Sequence, residues 1–280
     1  KGHRRQIEKA ANLINESRKP LIIAGAGVLK AKAQQELYDI AKKANIPVTN
    51  TLLGLGSFPG DDGLALGMLG MHGTVYANYA TDEADLIIAM GMRFDDRITG
   101  DPETFCSKGK IIHIDIDPAE IEKNKFVDVP IVGDLKNVLN ELEGRVKERN
   151  HTEWLEQIQG WKEDYPISYG ESKEGRLMPQ EVLRELNNVL KGDGIVATDV
   201  GQHQMWVAQF LTFKKPNSIM TSGGSGTMGF GLPAGIGAQV GKPEEKVVVI
   251  AGDGGFQMTF HELMTIKQYN LPVKIIILNN

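Results

Sequence analysis

Short runs of apolar residues alternate with longer stretches whose apolar positions recur every three or four residues, and this rhythm runs through the whole chain. Ile7, Ala10, Ala11 and Ile14 share one helical face, so residues 4–17 are expected to form an amphipathic helix. Pro20-Leu-Ile-Ile-Ala-Gly25 reads as a buried strand, followed by a Gly25-Ala26-Gly27-Val28 turn, a helix over roughly 31–44 and a short strand at 46–50. Further strands are expected at 84–91, 110–117 and 127–132, with helices over roughly 73–80 and 134–148 and another around Trp154 and Trp161. Strands that alternate with helices of this length imply parallel sheets with crossover helices.

The second half repeats the rhythm. Pro179 opens a helix over 179–190, a position where its missing N–H costs nothing. A strand at 194–199, an extended piece at 217–220, a helix at 232–241 and the apolar runs 247–251 and 273–278 follow. Between the halves, residues 166–177 carry Gly170, Ser172 and Gly175 and are the expected linker. The division is therefore 1–165, a linker, and 178–280. The chain lacks an initiator Met and stops at the end of an apolar strand, which reads as part of a longer polypeptide.

Composition narrows the classes. The net charge of −5, with both signs interspersed, gives no nucleic-acid or membrane surface, and the apolar runs are strand-sized. A single cysteine, Cys106, excludes an internal disulfide and a cysteine metal cluster, which fits a reducing, cytoplasmic compartment. The first strand–turn–helix has Lys30 where a dinucleotide fingerprint needs its third glycine, and the next strand ends in Thr49-Asn50 with no acid for a ribose hydroxyl. These departures argue against a nicotinamide site and leave a glycine-lined turn near some other nucleotide. The Gly-dense segment 51–73 also carries apolar residues, so it is expected to be an ordered loop over a ligand. Successive strand ends in this half supply glycine, Arg and Asp, groups suited to phosphate, ribose and adenine.

The sharpest chemistry lies at the end of the chain. Val247–Ala251 meets Gly252-Asp253-Gly254, and after the 24 residues 255–278 the next apolar run closes on Asn279-Asn280. In a βαβ unit this puts Asp253 and Asn280 at the carboxyl ends of two parallel strands, where open α/β sheets bind ligands. A carboxylate and a carboxamide oxygen are hard ligands, suited to a Mg2+ that keeps substrate phosphates in its shell. Met228, flanked by Gly226 and Gly229 in a glycine-rich loop, is a candidate apolar wedge, and the Gly201-Gln202-His203 turn offers donors for a diphosphate.

GDG followed by NN at this spacing resembles the thiamin diphosphate fingerprint. Val200-Gly-Gln-His-Gln-Met-Trp206, Ser222–Pro233, Leu69-Gly-Met-His-Gly73 and the string GMRFDDRITG over 91–100 are, together, similar to the catalytic large subunit of acetolactate synthase (acetohydroxyacid synthase) along the whole chain. The resemblance implies an α/β fold of two doubly wound, Rossmann-like parallel-sheet domains, a middle FAD-binding domain and a thiamin diphosphate domain cut short at its carboxyl end. It implies a structural, non-redox FAD at Gly25, Ala26, Gly27, Thr51, Leu52, Met71, His72, Arg93, Asp96, Arg97, Asp115, Ile116, Gly133 and Asp134. Thiamin diphosphate would meet Val200, Gly201, Gln202, His203, Gly226, Met228, Gly252, Asp253, Gly254 and Asn280, with Mg2+ on Asp253 and Asn280. Met228 and Gln202 are the implied catalytic residues, and Arg97 lies near the entrance of the second keto acid.

The implied reaction decarboxylates pyruvate and joins the remaining two carbons to a second 2-keto acid, giving acetolactate or, with 2-ketobutyrate, acetohydroxybutyrate, in branched-chain amino acid biosynthesis. Homodimers or homotetramers, with a small regulatory subunit, belong to the same implication, as does an organellar location in a plant or fungus. The activating Glu belongs in that family to an amino-terminal domain outside these residues, so the 280-residue chain alone is expected to bind FAD without turnover. The alternatives are another thiamin enzyme (pyruvate oxidase, glyoxylate carboligase or a 2-keto acid decarboxylase) and a non-catalytic flavin- or nucleotide-binding paralogue.

Overall fold

A computed structural model describes residues 2–170 and 175–279 of the chain. They fall into two compact units, Lys1–Ile167 and Ser168–Asn280. The expected linker falls partly on residues 171–174, outside the described residues.

In the first unit, α1 (Arg4–Glu16) leads into β1 (Pro20–Ala24), α2 (Ala26–Lys30), α3 (Gln34–Ala44) and β2 (Val48–Asn50). A 3-10 turn at Leu52–Gly54 and β3 (Ala65–Met68) follow, then α4 (Val75–Glu83), β4 (Leu86–Met90), α5 (Asp96–Thr99) and β5 (Lys110–Asp115). The unit closes with β6 (Val129–Val132), α6 (Leu135–Glu143) and α7 (Thr152–Asp164). The six strands lie in the order β3-β2-β1-β4-β5-β6, all parallel. The chain winds outward from β1 in one direction and resumes at β4 in the other. The switch point is therefore between β1 and β4, where the first crossovers diverge and leave a crevice.

β1 and β4 are buried at every position because helices cover both faces of the sheet. Ile22, Ala24, Ile88, Met90, Ile112 and Ile114 pack with Ile7, Leu37, Ile40 and Val138 of α1, α3 and α6. Their neighbours Leu21, Ile23, Ile87, Ala89 and Ile111 point the other way, onto Ala77 and Ala80 of α4 and Trp154 and Ile158 of α7. The period-2 alternation of a strand splits each apolar run between the two layers. Trp154 is fully enclosed and its indole N–H donates to the Pro20 carbonyl at 3.0 Å.

Three elements differ from expectation. The helix expected from residue 31 begins at Gln34, because the chain makes a separate helical turn over 26–30 and breaks at Lys32, whose φ is +53°. The loop expected over 51–73 contains β3, whose buried Leu66 and Met68 alternate with half-buried neighbours. The glycines around it hide a strand that exists through pairing with β2, Val48 opposite Ala65 and Asn50 opposite Met68. The helix expected to reach 148 ends at Glu143, where Gly144 follows.

The second unit runs α8 (Pro179–Leu190), β7 (Ile195–Thr198), α9 (Gln202–Phe210), β8 (Ile219–Thr221), α10 (Gly231–Gly241) and β9 (Val247–Gly252). Then come α11 (Asp253–Thr259), a 3-10 turn at Phe260–Glu262, α12 (Leu263–Tyr269) and β10 (Lys274–Leu278). Its four-stranded parallel sheet has the order β10-β9-β7-β8, again with a switch, between β7 and β9. Leu232 and Ile236 of α10 pack on Ala197 and Val249. Gly235 lets α10 approach closely, since a Cβ there would lie 2.2 Å from a Val249 methyl.

Candidate functional site

In the second unit three loops leave the carboxyl ends of β7, β8 and β9: residues 199–203, 222–230 and 252–255. The middle loop has no regular structure and turns through Gly226 and Gly229, with φ of +61° and +83°, a region closed to most side chains. Met228 stands between them, 43% exposed, and its methyl lies 3.5 Å from where a Cβ on Gly254 would be. The expected wedge and the expected metal-and-phosphate turn are thus neighbours. Asp253 is the exposed first residue of α11, with Gly252 as its N-cap. Asn280 lies outside the described residues. Among the described residues no group of three or more His, Cys, Asp and Glu could enclose a metal.

The 199–203 loop faces the same region. Gly201 has a φ of +149° and starts α9, and Gln202 is exposed at its first residue. The His203 ring lies against both glycine turns: a Cβ at Gly201 would meet it at 2.9 Å and one at Gly252 at 3.2 Å. Burial pushes the His203 imidazole below its ordinary range, while the charge and backbone of Asp199 pull it up, and the ring stays neutral at pH 7. Its Nε2 is buried without a protein partner. In a neutral ring whose other nitrogen donates to the Asp199 backbone, Nε2 is a lone-pair acceptor, so it calls for a donor from elsewhere, such as a water in a ligand's hydration.

Asp199, which sequence reasoning placed only as a strand end, is fully buried at the centre of these loops. Its Oδ1 accepts from the amides of Val200 (2.7 Å) and Gly229 (3.0 Å), and its Oδ2 from that of Gly231 (3.1 Å). A lone Asp before Val-Gly-Gln-His carries no pattern, because two of its three partners, Gly229 and Gly231, lie 30 and 32 residues away.

In the first unit the expected cofactor residues all fall on the carboxyl edge of the sheet. Gly25, Ala26 and Gly27 follow β1, Thr51 and Leu52 follow β2, and Asp115 and Ile116 close β5. Gly133 and Asp134 follow β6, with the Gly133 amide donating to the Asp115 carbonyl at 2.9 Å and the Asp134 side chain capping α6 through Asn137 N–H. Met71 and His72 follow β3 and are exposed; the Met71 amide donates to the Arg97 carbonyl at 2.9 Å, joining two segments that are far apart in sequence. Arg93, Asp96 and Arg97 are exposed beyond β4, and Arg93 pairs with Asp95 at 3.4 Å. Ile116 is 69% exposed at this edge, an apolar surface next to polar ones.

At the switch point itself the Gly25 and Gly27 amides donate to the Met90 and Gly91 carbonyls at 2.9 and 2.8 Å. A Cβ on Gly25 would stand 2.3 Å from the Gly91 carbonyl oxygen, and one on Gly27 2.5 Å from the Gly91 Cα. These glycines let two backbone loops touch, which shapes the edge whether or not a phosphate lies on it. Cys106 plays no chemical part, since burial pushes its thiol up to about 12 and keeps it protonated.

Comparison with known proteins gives the family. Residues 7–142 match the family profile "Thiamine pyrophosphate enzyme, central domain". Residues 199–280 match "Thiamine pyrophosphate enzyme, C-terminal TPP binding domain". The chain is similar to a probable acetolactate synthase large subunit of Methanocaldococcus jannaschii, 50% identical over 100% of the chain and 49% of the relative. It is also similar to acetolactate synthase large subunit of Cyanidium caldarium, at 47% over 99% of the chain and 48% of the relative. With acetolactate synthase 1, chloroplastic, of Zea mays the identity is 48% over 98% of the chain and 43% of the relative. The chain spans about half the length of the curated relatives it matches. With two domain profiles of one family matched in order, and acetolactate synthases similar along the whole chain, it belongs to the thiamine pyrophosphate enzyme family.

Proposed function

We propose that this chain is the central and carboxyl-terminal part of an acetolactate synthase large subunit, which decarboxylates pyruvate and joins the two-carbon remainder to a second 2-keto acid, pyruvate or 2-ketobutyrate. The observation that carries this reading is the meeting of Met228 with the Gly252-Asp253-Gly254 turn on one sheet edge, 3.5 Å from the Met228 methyl to the Gly254 Cβ position. Thiamin diphosphate, when bound, supplies the electron sink for both steps. The chain's own groups bind and orient it. Asp253, with Asn280, would hold a Mg2+ on the diphosphate. Gln202 would donate to phosphate oxygens, His203 would lie beside them with its Nε2 accepting from a bound water, and Met228 would sit as an apolar wedge under the cofactor.

The first unit, over 1–165, would carry FAD as a structural group along the carboxyl edge of its sheet. The exposed Arg93 and Arg97 suit its phosphates, Asp115 a ribose hydroxyl, and Met71 and Ile116 an apolar ring. The 178–280 segment would be the thiamin diphosphate domain, joined by the 166–177 linker. Subunits would associate as homodimers or homotetramers, with a small regulatory subunit, in branched-chain amino acid biosynthesis. No described helix is long and apolar enough to cross a membrane. The enzyme would be cytoplasmic, or organellar like the chloroplastic maize relative.

The test uses the full-length protein with pyruvate, thiamin diphosphate and Mg2+. Acetolactate should accumulate without oxygen uptake, and the purified protein should show flavin absorbance. Acetaldehyde or oxygen consumption in place of acetolactate would point to the other thiamin enzymes, and absence of thiamin diphosphate binding in calorimetry would end the reading.

A further inference from the structure

We propose that Asp199 is a positioning residue of the thiamin site: its buried carboxylate sets the place of Met228 by holding the glycine-rich loop against the turn that starts α11. The proposal rests on the functional reading above. Its physical basis stands on the loop alone.

Residues 222–230 contain four glycines and form no ladder or helix; the bonds within the loop, from the Gly226 amide to the Ser222 carbonyl at 2.7 Å and from the Thr227 amide to Ser222 Oγ at 3.0 Å, lie before Met228. Two of those glycines flank Met228 at positive φ, and an unanchored loop could place that side chain in many ways. The chain fixes the peptide beside it from both directions. The Gly229 amide donates to Asp199 Oδ1 at 3.0 Å, and the Gly229 carbonyl accepts from Thr259 Oγ1 at 3.1 Å. Two residues on, Gly231 N–H donates to the second carboxylate oxygen at 3.1 Å and starts α10. The carboxylate is itself fixed, because Val200 N–H donates to it and the Asp199 amide is bound to the Ile250 carbonyl of β9 at 2.9 Å.

On its remaining side it lies flush with α11, where a Cβ on Gly255 would stand 2.5 Å from Oδ1. One group thus touches all three loops of the site. Among the described residues no Lys or Arg pairs with it, and three amide donors carry its charge instead. Bonds to an ionised acceptor are roughly twice as strong as neutral ones, which explains a carboxylate here in place of an amide or hydroxyl. Asp199 does not face the ligand region with a free atom, so it acts through Met228 and not on the substrate.

The experiment compares full-length wild type, Asp199→Asn and Asp199→Ala by hydrogen exchange and by steady-state kinetics with pyruvate. In Asp199→Ala, amides of 226–231 should exchange roughly tenfold faster or more, the scale of one lost charged hydrogen bond, with segments 4–164 unchanged. The kcat should fall by a similar or larger factor while the pyruvate KM moves less than about threefold, because misplacing the wedge affects the reacting geometry more than substrate capture. Asp199→Asn keeps one oxygen acceptor and should lie between the two. If Asp199→Ala does not fold, Asp199→Asn decides on the same readouts. Wild-type exchange in 226–231, an unchanged kcat, or a uniform rise over 178–279 would each overturn the proposal, the last by showing a general core role. A wild-type protein that binds no thiamin diphosphate would fail the functional reading, while the exchange comparison would still judge whether Asp199 holds the loop.

Discussion

Gly255 shows how tightly single positions are set. It is helical, and Ala is the better helix former by roughly 0.5–1 kcal/mol. Yet a Cβ there would lie 2.5 Å from the Asp199 carboxylate oxygen, which three amides hold in place. Overpacking a fixed neighbour costs about 1–3 kcal/mol, so the clash wins over the propensity. Gly255→Ala should lower the denaturation midpoint and raise exchange over 226–231; an unchanged or raised midpoint would mean that the carboxylate yields. The glycine-flanked Met228 and the Gly-Asp-Gly turn are legible in sequence because residue type and spacing carry them. The carboxylate beneath them is not, since its meaning depends on amides that only folding brings near.

At the level of elements, the contact of the β1 and β4 loops decides the shape of the carboxyl edge of the first unit's sheet. The expected strands at 20–25, 84–91 and 110–117 are present as β1, β4 and β5 because long apolar runs leave little choice. β3 was hidden by flanking glycines and is held by its partner strand, and no local pattern announces a strand of that kind. The tie between Gly70 and Arg97 is equally silent in sequence: a Cβ on Gly70 would stand 2.4 Å from the Arg97 carbonyl oxygen. Gly25→Ala would meet the Gly91 carbonyl oxygen at 2.3 Å and the Met92 Cβ and Cα at 2.6 and 2.8 Å, atoms of or next to the backbone that cannot swing away. The expected outcome is a loss of about 3 kcal/mol and purification of the full-length protein without flavin absorbance. Retention of the yellow colour at full stability would refute it.

Over the whole molecule, three buried imidazoles set the acid side of stability. His113 is pushed down by burial against the opposing pull of the Met92 carbonyl, Asp115 and Glu120. His151 is pushed down by burial and then by Arg149, and His203 by burial. Each folded-state value lies below the unfolded one, near 6.5, so the unfolded chain takes up protons first as pH falls. Their stability is whole above that value and is lost progressively as pH drops through the folded values. Melting temperatures of the full-length protein should fall on going from pH 7.5 to 5.5, and His113→Gln should flatten the slope; a flat wild-type profile would contradict this. With Trp161 and Trp206 replaced by Phe, Trp154 gives a way to watch the first unit separately. Its indole is enclosed and hydrogen-bonded to the carbonyl of Pro20, at the first residue of β1. Light emission from an indole shifts to the red when water reaches it, so the colour of this side chain marks the moment at which the central strand comes away from its helices.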